Sequence, residues 1–353
     1  MPKSFLRGRL AVVLLSTSVL SCALSSCSTP IVTPAPPPPA ASLLNGGRDG
    51  VVIALNVERS DRGQSRLGLP IQIDGKAVYM MLDTGTQGVR VLSSVLPRKD
   101  YPAVGGRTSM VFANDAQVSG PLVKLPVGFV GARPFDVTAQ SVDDVRCQPG
   151  AKRCVAMDGY TGEFGWAFSG LFGVGAEQPD DTCCTQPLRA LPGNIGLRYI
   201  VHANLARPYL LLTPSKALSS EFTMFPMRTG SDGVRKWPAG CVQVADKMSF
   251  CAPVVFSTGG MDMIRIETDT TPNWLDDDSE GKVLKQGNFN TALGVGSWVH
   301  RFDAAQVTVA KTRRGQNRIV IGLMAMQNID VLFDFASGQI GLRAKKPTEA
   351  LGG

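Results

Sequence analysis

The chain predicts an all-β protein whose two halves repeat one strand pattern, and three observations carry that expectation. Glycine and proline are plentiful, at 38 and 24 of 353 residues, and they punctuate short apolar runs. No long stretch holds the i, i+3, i+4, i+7 spacing of an amphipathic helix. One pattern occurs twice: Val78-Tyr-Met-Met-Leu-Asp-Thr-Gly-Thr86 has a counterpart in Ala252-Pro-Val-Val-Phe-Ser-Thr-Gly-Gly260. Each is a short apolar run, read as a buried strand, ending in X-Thr-Gly. With 44% hydrophobic residues, a chain of this length can bury a substantial core and has room for two domains.

In chain order, residues 1–26 read as an export signal. A basic start (Lys3, Arg7, Arg9) precedes the apolar stretch 10–20, which is too short to span a bilayer. The segment ends in Leu24-Ser-Ser-Cys27, which resembles the bacterial lipobox, where the chain is cut before a cysteine that receives lipid. Cys22 competes but lacks a leucine three positions upstream, and simple secretion is the alternative reading. Several acyl chains on Cys27 would anchor the protein stably in the bacterial cell envelope. By resemblance to enterobacterial lipoproteins, Ser28 in the next position implies the outer membrane. Residues 27–46 carry the lipidated cysteine and Pro34-Ala-Pro-Pro-Pro-Pro39, a composition suited to a semi-rigid tether.

Removing the signal's three basic residues, which no acid accompanies, lowers the formal charge from +7 to +4. The remaining basic residues are scattered among acids, apart from Lys311-Thr-Arg-Arg314. That run is read as a solvated hairpin tip, so no nucleic-acid partner is expected.

From about Val51 to Arg343 the pattern is strand-like. Residues 69–79 predict a hairpin turning at Asp74-Gly75 and leading into the Asp83 strand. Residues 242–250 repeat it ahead of the Ser257 strand, with three extra residues at Cys251-Ala-Pro. A second landmark follows each copy: Gly170-Leu-Phe-Gly-Val-Gly175, and the segment 319–335 closed by Gln339-Ile-Gly-Leu342. The lobe boundary falls after Tyr209-Leu-Leu-Leu-Thr213, giving an N-terminal lobe at 47–215 and a C-terminal lobe at 216–353.

These features together resemble the pepsin-like aspartic proteases over most of residues 48–345. The matching parts are two X-Thr-Gly strands, an apolar-apolar-Gly strand after each, and a closing Phe-Asp followed by Ile-Gly. The resemblance implies a bilobal, almost all-β fold with a central cleft. In that family two aspartates share a proton across the lobe interface and activate a water between them. Asp83 carries over as one catalytic acid. Thr84 and Thr258 match the threonines that brace the two loops, and Gly85 and Gly259 match the glycines that let them turn tightly.

Ser257 stands where the second aspartate is expected, and a hydroxyl cannot supply a proton near neutral or acidic pH. General acid–base help is worth roughly 10²–10⁴ in rate, so feeble hydrolysis at most is expected. Asp262 lies five residues past Ser257, where the family's motif runs away from the cleft. The flap, the hairpin that closes over substrate, matches residues 108–120, with Phe112 or Ala113 in place of the expected tyrosine. Gln87 also departs from the family's serine or threonine. Asp83 as a purely structural acid is the bland alternative. Ser257 as an acylating nucleophile lacks a Gly-x-Ser-x-Gly elbow and an obvious base.

No metal and no cofactor are expected. His202 and His300 are isolated, and Trp274-Leu-Asp-Asp-Asp-Ser-Glu280 lacks the glycine and spacing of an EF-hand loop. The six cysteines left after processing suit an oxidising compartment. Cys241 and Cys251 flank the second hairpin and are expected to bridge it. Cys147, Cys154, Cys183 and Cys184 are expected to staple the insertions around 170–175, with the adjacent pair taking separate partners; a redox-active vicinal pair is the alternative.

The sequence therefore points to an exported lipoprotein, expected as a monomer, that binds a peptide, a protein or cell-wall material in its cleft or loops. Plant inhibitors of xylan-degrading enzymes are a fold-level precedent for such loss of catalysis. The rivals are an active aspartic endopeptidase using Asp83 with an unidentified second group, and a structural envelope protein.

Overall fold

The computed structural model describes residues 38–45, 47–59, 64–112, 115–151, 154, 167–176, 183–184, 186–229, 235–245, 248–270 and 283–345. The export signal, Cys27, the tether up to residue 37, Ala113 and the acidic run 274–280 lie outside these residues.

The described chain is all-β, as its punctuation predicts, with helices of no more than a single turn. The first hairpin shows how the sequence builds it. Strands Ser65–Ile73 and Lys76–Asp83 pair antiparallel around Asp74 and Gly75, both at positive φ, the conformation that a two-residue hairpin turn demands. Side chains alternate across the strands: Leu67, Leu69, Ile71 and Ile73 are fully buried, as are Met80 and Leu82 of the partner. The intervening Tyr79 and Met81 turn to the opposite face and pack with Leu92, Val118, Val142, Phe168 and Leu171. Residues that alternate between two apolar layers explain why this strand reads as a continuous hydrophobic run.

Six strand pairings built in the first half recur in the second. Lys76–Asp83 runs parallel to Gly170–Val174, which lies antiparallel to Gln87–Leu92. Gln87–Leu92 runs parallel to Phe135–Val142, which pairs antiparallel with Ala116–Gly128, and that strand returns to Ser65–Ile73. In the second half Met248–Ser257 runs parallel to Arg318–Gly322, itself antiparallel to Ile264–Thr268. Ile264–Thr268 runs parallel to Trp298–Lys311, which pairs with Val283–Val295, and that strand closes onto Ala239–Val244. Ala239–Val244 and Met248–Ser257 form the second hairpin, completing a closed barrel. The sequence repeat is thus a repeat of topology.

A seven-stranded sheet takes strands from both halves. Its centre is the antiparallel pair Arg198–His202 and Ile329–Asp334, flanked by Tyr209–Leu212 and Gln339–Ala344. Tyr199, Val201, Val331 and Phe333 in this sheet are fully buried and belong to the same apolar cluster as the strands of both halves. One continuous core therefore underlies both X-Thr-Gly loops.

Two expectations need correction. The Lys311–Arg314 run is solvent-exposed but is no hairpin tip: Trp298–Lys311 and Arg318–Gly322 both pair with Ile264–Thr268 rather than with each other. The run is a crossover between non-adjacent strands. Among the cysteines, Cys241–Cys251 bridge the second hairpin as expected, but Cys183 and Cys184 pair with each other, and Cys147 pairs with Cys154. Cys147 ends the strand Asp144–Cys147, which places Cys154 within one short loop of it and leaves the adjacent pair to itself.

Candidate functional site

Asp83 and Ser257 end equivalent strands. Asp83 lies in register with Gly173 of its parallel neighbour, and Ser257 with Gly322 of its own. Both neighbours must be glycine. A Cβ at Gly173 would approach backbone atoms of Thr86, Gln87 and Gly88 to 2.9 Å, and at Gly322 it would reach the Asp262 carbonyl at 1.9 Å. The apolar-apolar-Gly landmark of the sequence is the floor on which each loop rests.

The two loops lock together through their threonines with near two-fold symmetry. Thr84 Oγ1 donates to the Phe256 carbonyl at 2.6 Å, and Thr258 Oγ1 donates to the Leu82 carbonyl at 2.8 Å. Each hydroxyl also accepts the other's backbone N–H, at 3.0 Å for Thr258 and 3.2 Å for Thr84. Four hydrogen bonds made by two fully buried side chains fix the loops, with every polar group involved satisfied.

Asp83 and Ser257 meet above this brace, both nearly buried at 5% and 7% exposure. Three donors converge on Asp83 Oδ1: the Gly85 N–H at 2.7 Å, the Ser257 hydroxyl at 2.8 Å and the Gly259 N–H at 3.1 Å. The glycines are sterically obligatory. A Cβ on Gly85 would come within 2.5 Å of the Ser257 side chain, and one on Gly259 within 2.9 Å of both Asp83 carboxylate oxygens. Arg66 adds a charge. Burial lowers its guanidinium pKa, the Asp83 carboxylate pushes back the other way, and Nη1 reaches the Gly260 carbonyl at 3.5 Å.

The chemistry this set can perform follows from its donors. One carboxylate and one hydroxyl that donates to it hold polar groups in place, but they contain no second acid to exchange a proton with a bound water. Asp262 supplies none. Its oxygens are taken by Arg265 Nη1 at 3.1 Å and the Thr308 hydroxyl at 2.8 Å.

The remaining sequence candidates are placed as follows. Phe112, at the end of the strand Ala103–Val111, is half-buried and packs on the Tyr79–Met81 cluster. That strand pairs antiparallel with Ala116–Gly128. Gln87, which departs from the family pattern, spends its side-chain N–H on the Cys184 carbonyl at 2.8 Å. His202 donates or accepts at Asp330 Oδ1, 2.8 Å away, in the shared sheet, and His300 stacks on Trp298 with burial lowering its pKa. Among the described residues, no group of three or more His, Cys, Asp and Glu is arranged to hold a metal ion. A polar concavity of about 310 Å³ on the hairpin of Ala103–Val111 and Ala116–Gly128 is lined by Arg107, Ser119 and Asp144 among others, not by Asp83. Its walls are already paired, Arg107 with Asp143 and Ser119 with Asp144.

Sequence reasoning missed Arg90, which is fully buried and donates to the Gln87 carbonyl at 2.8 Å, supporting the far end of the Asp83 loop. The signal was present: a lone cation in Gln87-Gly-Val-Arg-Val-Leu92, a strand otherwise fit for the core. No protein-family model matches this chain, and no curated protein matches it.

Proposed function

We propose that the protein is an exported, lipid-anchored homologue of the pepsin-like aspartic proteases that binds a peptide or protein ligand without cutting it. In this reading residues 47–215 and 216–353 are its two β lobes, and Asp83 with Ser257 marks the centre of the ligand cleft. Cys27 carries the anchor, the proline-rich segment spaces the lobes from the outer membrane, and cell-wall material is a further ligand class. The repeated six-strand pairing and the threonine brace support the fold family. The observation that carries the loss of catalysis is the 2.8 Å hydrogen bond from Ser257 to Asp83, made where the mechanism requires a second carboxylate.

The test is retention of peptides by the full chain in detergent at pH 5, using a synthetic peptide mixture and mass spectrometry. Bound peptides recovered at their original masses, and depleted about tenfold by Asp83→Asn, are the expected outcome; tenfold corresponds to about 1.4 kcal/mol of binding. Fragments released by the parent and not by Asp83→Asn would replace this reading with that of an active endopeptidase.

A further inference from the structure

The Cys183–Cys184 pair lies against the strand that continues the Asp83 loop. The Cys184 carbonyl accepts the Gln87 side-chain N–H at 2.8 Å, four residues on from Asp83. Gly88 is held at φ +90°, and a side chain there would meet Cys184 Cβ at 2.3 Å, so the cysteine segment sits directly on the loop backbone. Cys184 itself adopts φ +72°, a conformation that L residues rarely choose. On the other side, Arg90 grips the Gln87 carbonyl. Gln87 is therefore clamped between a buried cation and the bridged cysteines.

The three disulfides differ in what they restrain. Cys241 and Cys251 are directly opposed in a strand pair, and Cys147–Cys154 closes a loop of sequence separation 7. Cys183–Cys184, at separation 1, closes no loop of chain. A bridge stabilises a fold chiefly by limiting the unfolded chain, and more so as the loop lengthens, so this one contributes least to global stability. Its opening leaves the fold standing, and its two thiols stay adjacent for re-closure. Cys184 is half-buried, with Sγ 3.6 Å from the Val89 carbonyl, whereas Cys183 is 4% exposed, so of the two cysteines Cys184 is the less enclosed.

We propose that Cys183–Cys184 is a reversible redox site that sets the order of the Asp83 loop. A dithiol reductant of the thioredoxin class attacks Sγ of Cys184, forming a mixed disulfide and releasing the Cys183 thiolate. The reductant's second thiolate then closes its own disulfide and releases Cys184. Two electrons and two protons pass to the protein, and the reductant leaves oxidised. With the bridge open, Cys184 is free to leave its positive-φ conformation, the Gln87 amide loses its acceptor, and the loop from Gly85 to Val89 loosens. In the oxidising compartment where the chain is proposed to work, the bridged, ordered state is the resting one. The inference relies on the preceding reading in making this loop the ligand-facing one and in placing the chain in an oxidising compartment.

The test is stepwise dithiothreitol treatment of the full chain, with alkylation mapping of each cysteine and backbone hydrogen exchange in parallel. Cys183 and Cys184 should become alkylated at reductant concentrations that leave the other two bridges closed. Exchange at the Gly85–Val89 amides should rise about fivefold, the loss of roughly one hydrogen bond, and return on reoxidation. Gln87→Met should show the raised exchange while still oxidised and little further change on reduction. The proposal is overturned if all three bridges open together, if mapping pairs either cysteine elsewhere, or if exchange is unchanged when the pair opens. Because exchange reads the loop itself, these outcomes do not depend on whether a peptide binds.

Discussion

The Ser257 hydroxyl donates a hydrogen bond to Asp83 Oδ1 at 2.8 Å, and the same oxygen accepts from the backbone N–H groups of Gly85 and Gly259. The serine thus completes a shell that two backbone groups begin. Ser257→Ala leaves those two donors in place, so the loss should be confined to one hydrogen bond to a charged acceptor, about 1.5–3 kcal/mol by urea denaturation. A loss within error would mean that the two side chains are neighbours without being partners.

The threonine brace makes a stronger prediction. Thr84→Val strips the Phe256 carbonyl and the Thr258 N–H of their partner, and Thr258→Val does the same to Leu82 and Thr84. Each single variant should lose about 2–4 kcal/mol, because buried polar groups are left unpaired. The double variant should lose less than the sum by 1 kcal/mol or more, as roughly expected for groups in one network. Strict additivity in chemical denaturation would show that the two loops are braced independently.

Glycine requirements at the site are steric and local. Gly259→Ala drives a methyl against the Asp83 carboxylate, and Gly85→Ala drives one against Ser257, so each should destabilise by about 1–3 kcal/mol. Gly106→Ala, where nothing stands within 4 Å of the new methyl, is the control and should change stability by less than roughly 0.5 kcal/mol. Thermal melts of the three variants at one pH decide the matter.

Acid should unfold the protein through Asp330. Burial pushes this carboxyl up, but the His202 hydrogen bond, the Lys345 charge and the Arg343 hydrogen bond together hold it below its ordinary value. Glu221, which also pairs with Arg343, and Tyr209, stacked on His202, complete the surroundings. A carboxyl depressed in the folded state contributes stability that is fully present above its unfolded pKa of about 3.9 and is lost as pH falls through its folded value. The melting temperature should therefore fall below about pH 4. Asp330→Asn should flatten that acid limb while lowering stability at pH 7 by about 3–5 kcal/mol, since Arg343 and Lys345 lose their counter-charge and His202 loses its carboxylate partner. An unchanged acid limb in Asp330→Asn would assign the pH dependence to other carboxylates.

Much of this arrangement is legible in the chain because it is local. The Asp74-Gly75 turn, the alternation that buries Leu67 through Ile73, and the X-Thr-Gly endings are each set by a few consecutive residues. The glycine floor was also readable, since Gly173 and Gly322 recur at matching places after each copy. What was not readable joins distant positions. Nothing near His202 announces that Asp330 lies beside it, and the spacing of Lys311–Arg314 does not reveal that its flanking strands straddle a third. The Cys183–Cys184 bridge went against expectation because fifteen pairings of six cysteines cannot be ranked without knowing which loops approach each other. Gln87 looked like a simple departure from a pattern, and its purpose is visible only once Cys184 is seen above it.

The central proposal is that catalysis is lost chiefly because Ser257 stands where the mechanism requires a second carboxylate. Its most direct test is peptide cleavage from pH 3 to 7 by the full chain, run beside Ser257→Asp and the double variant Asp83→Ala/Ser257→Asp. The account predicts a silent parent, slow acid-side cleavage in Ser257→Asp, and silence again in the double variant. Cleavage by the parent that disappears in Asp83→Ala alone would contradict it and make Asp83 half of a working catalytic pair.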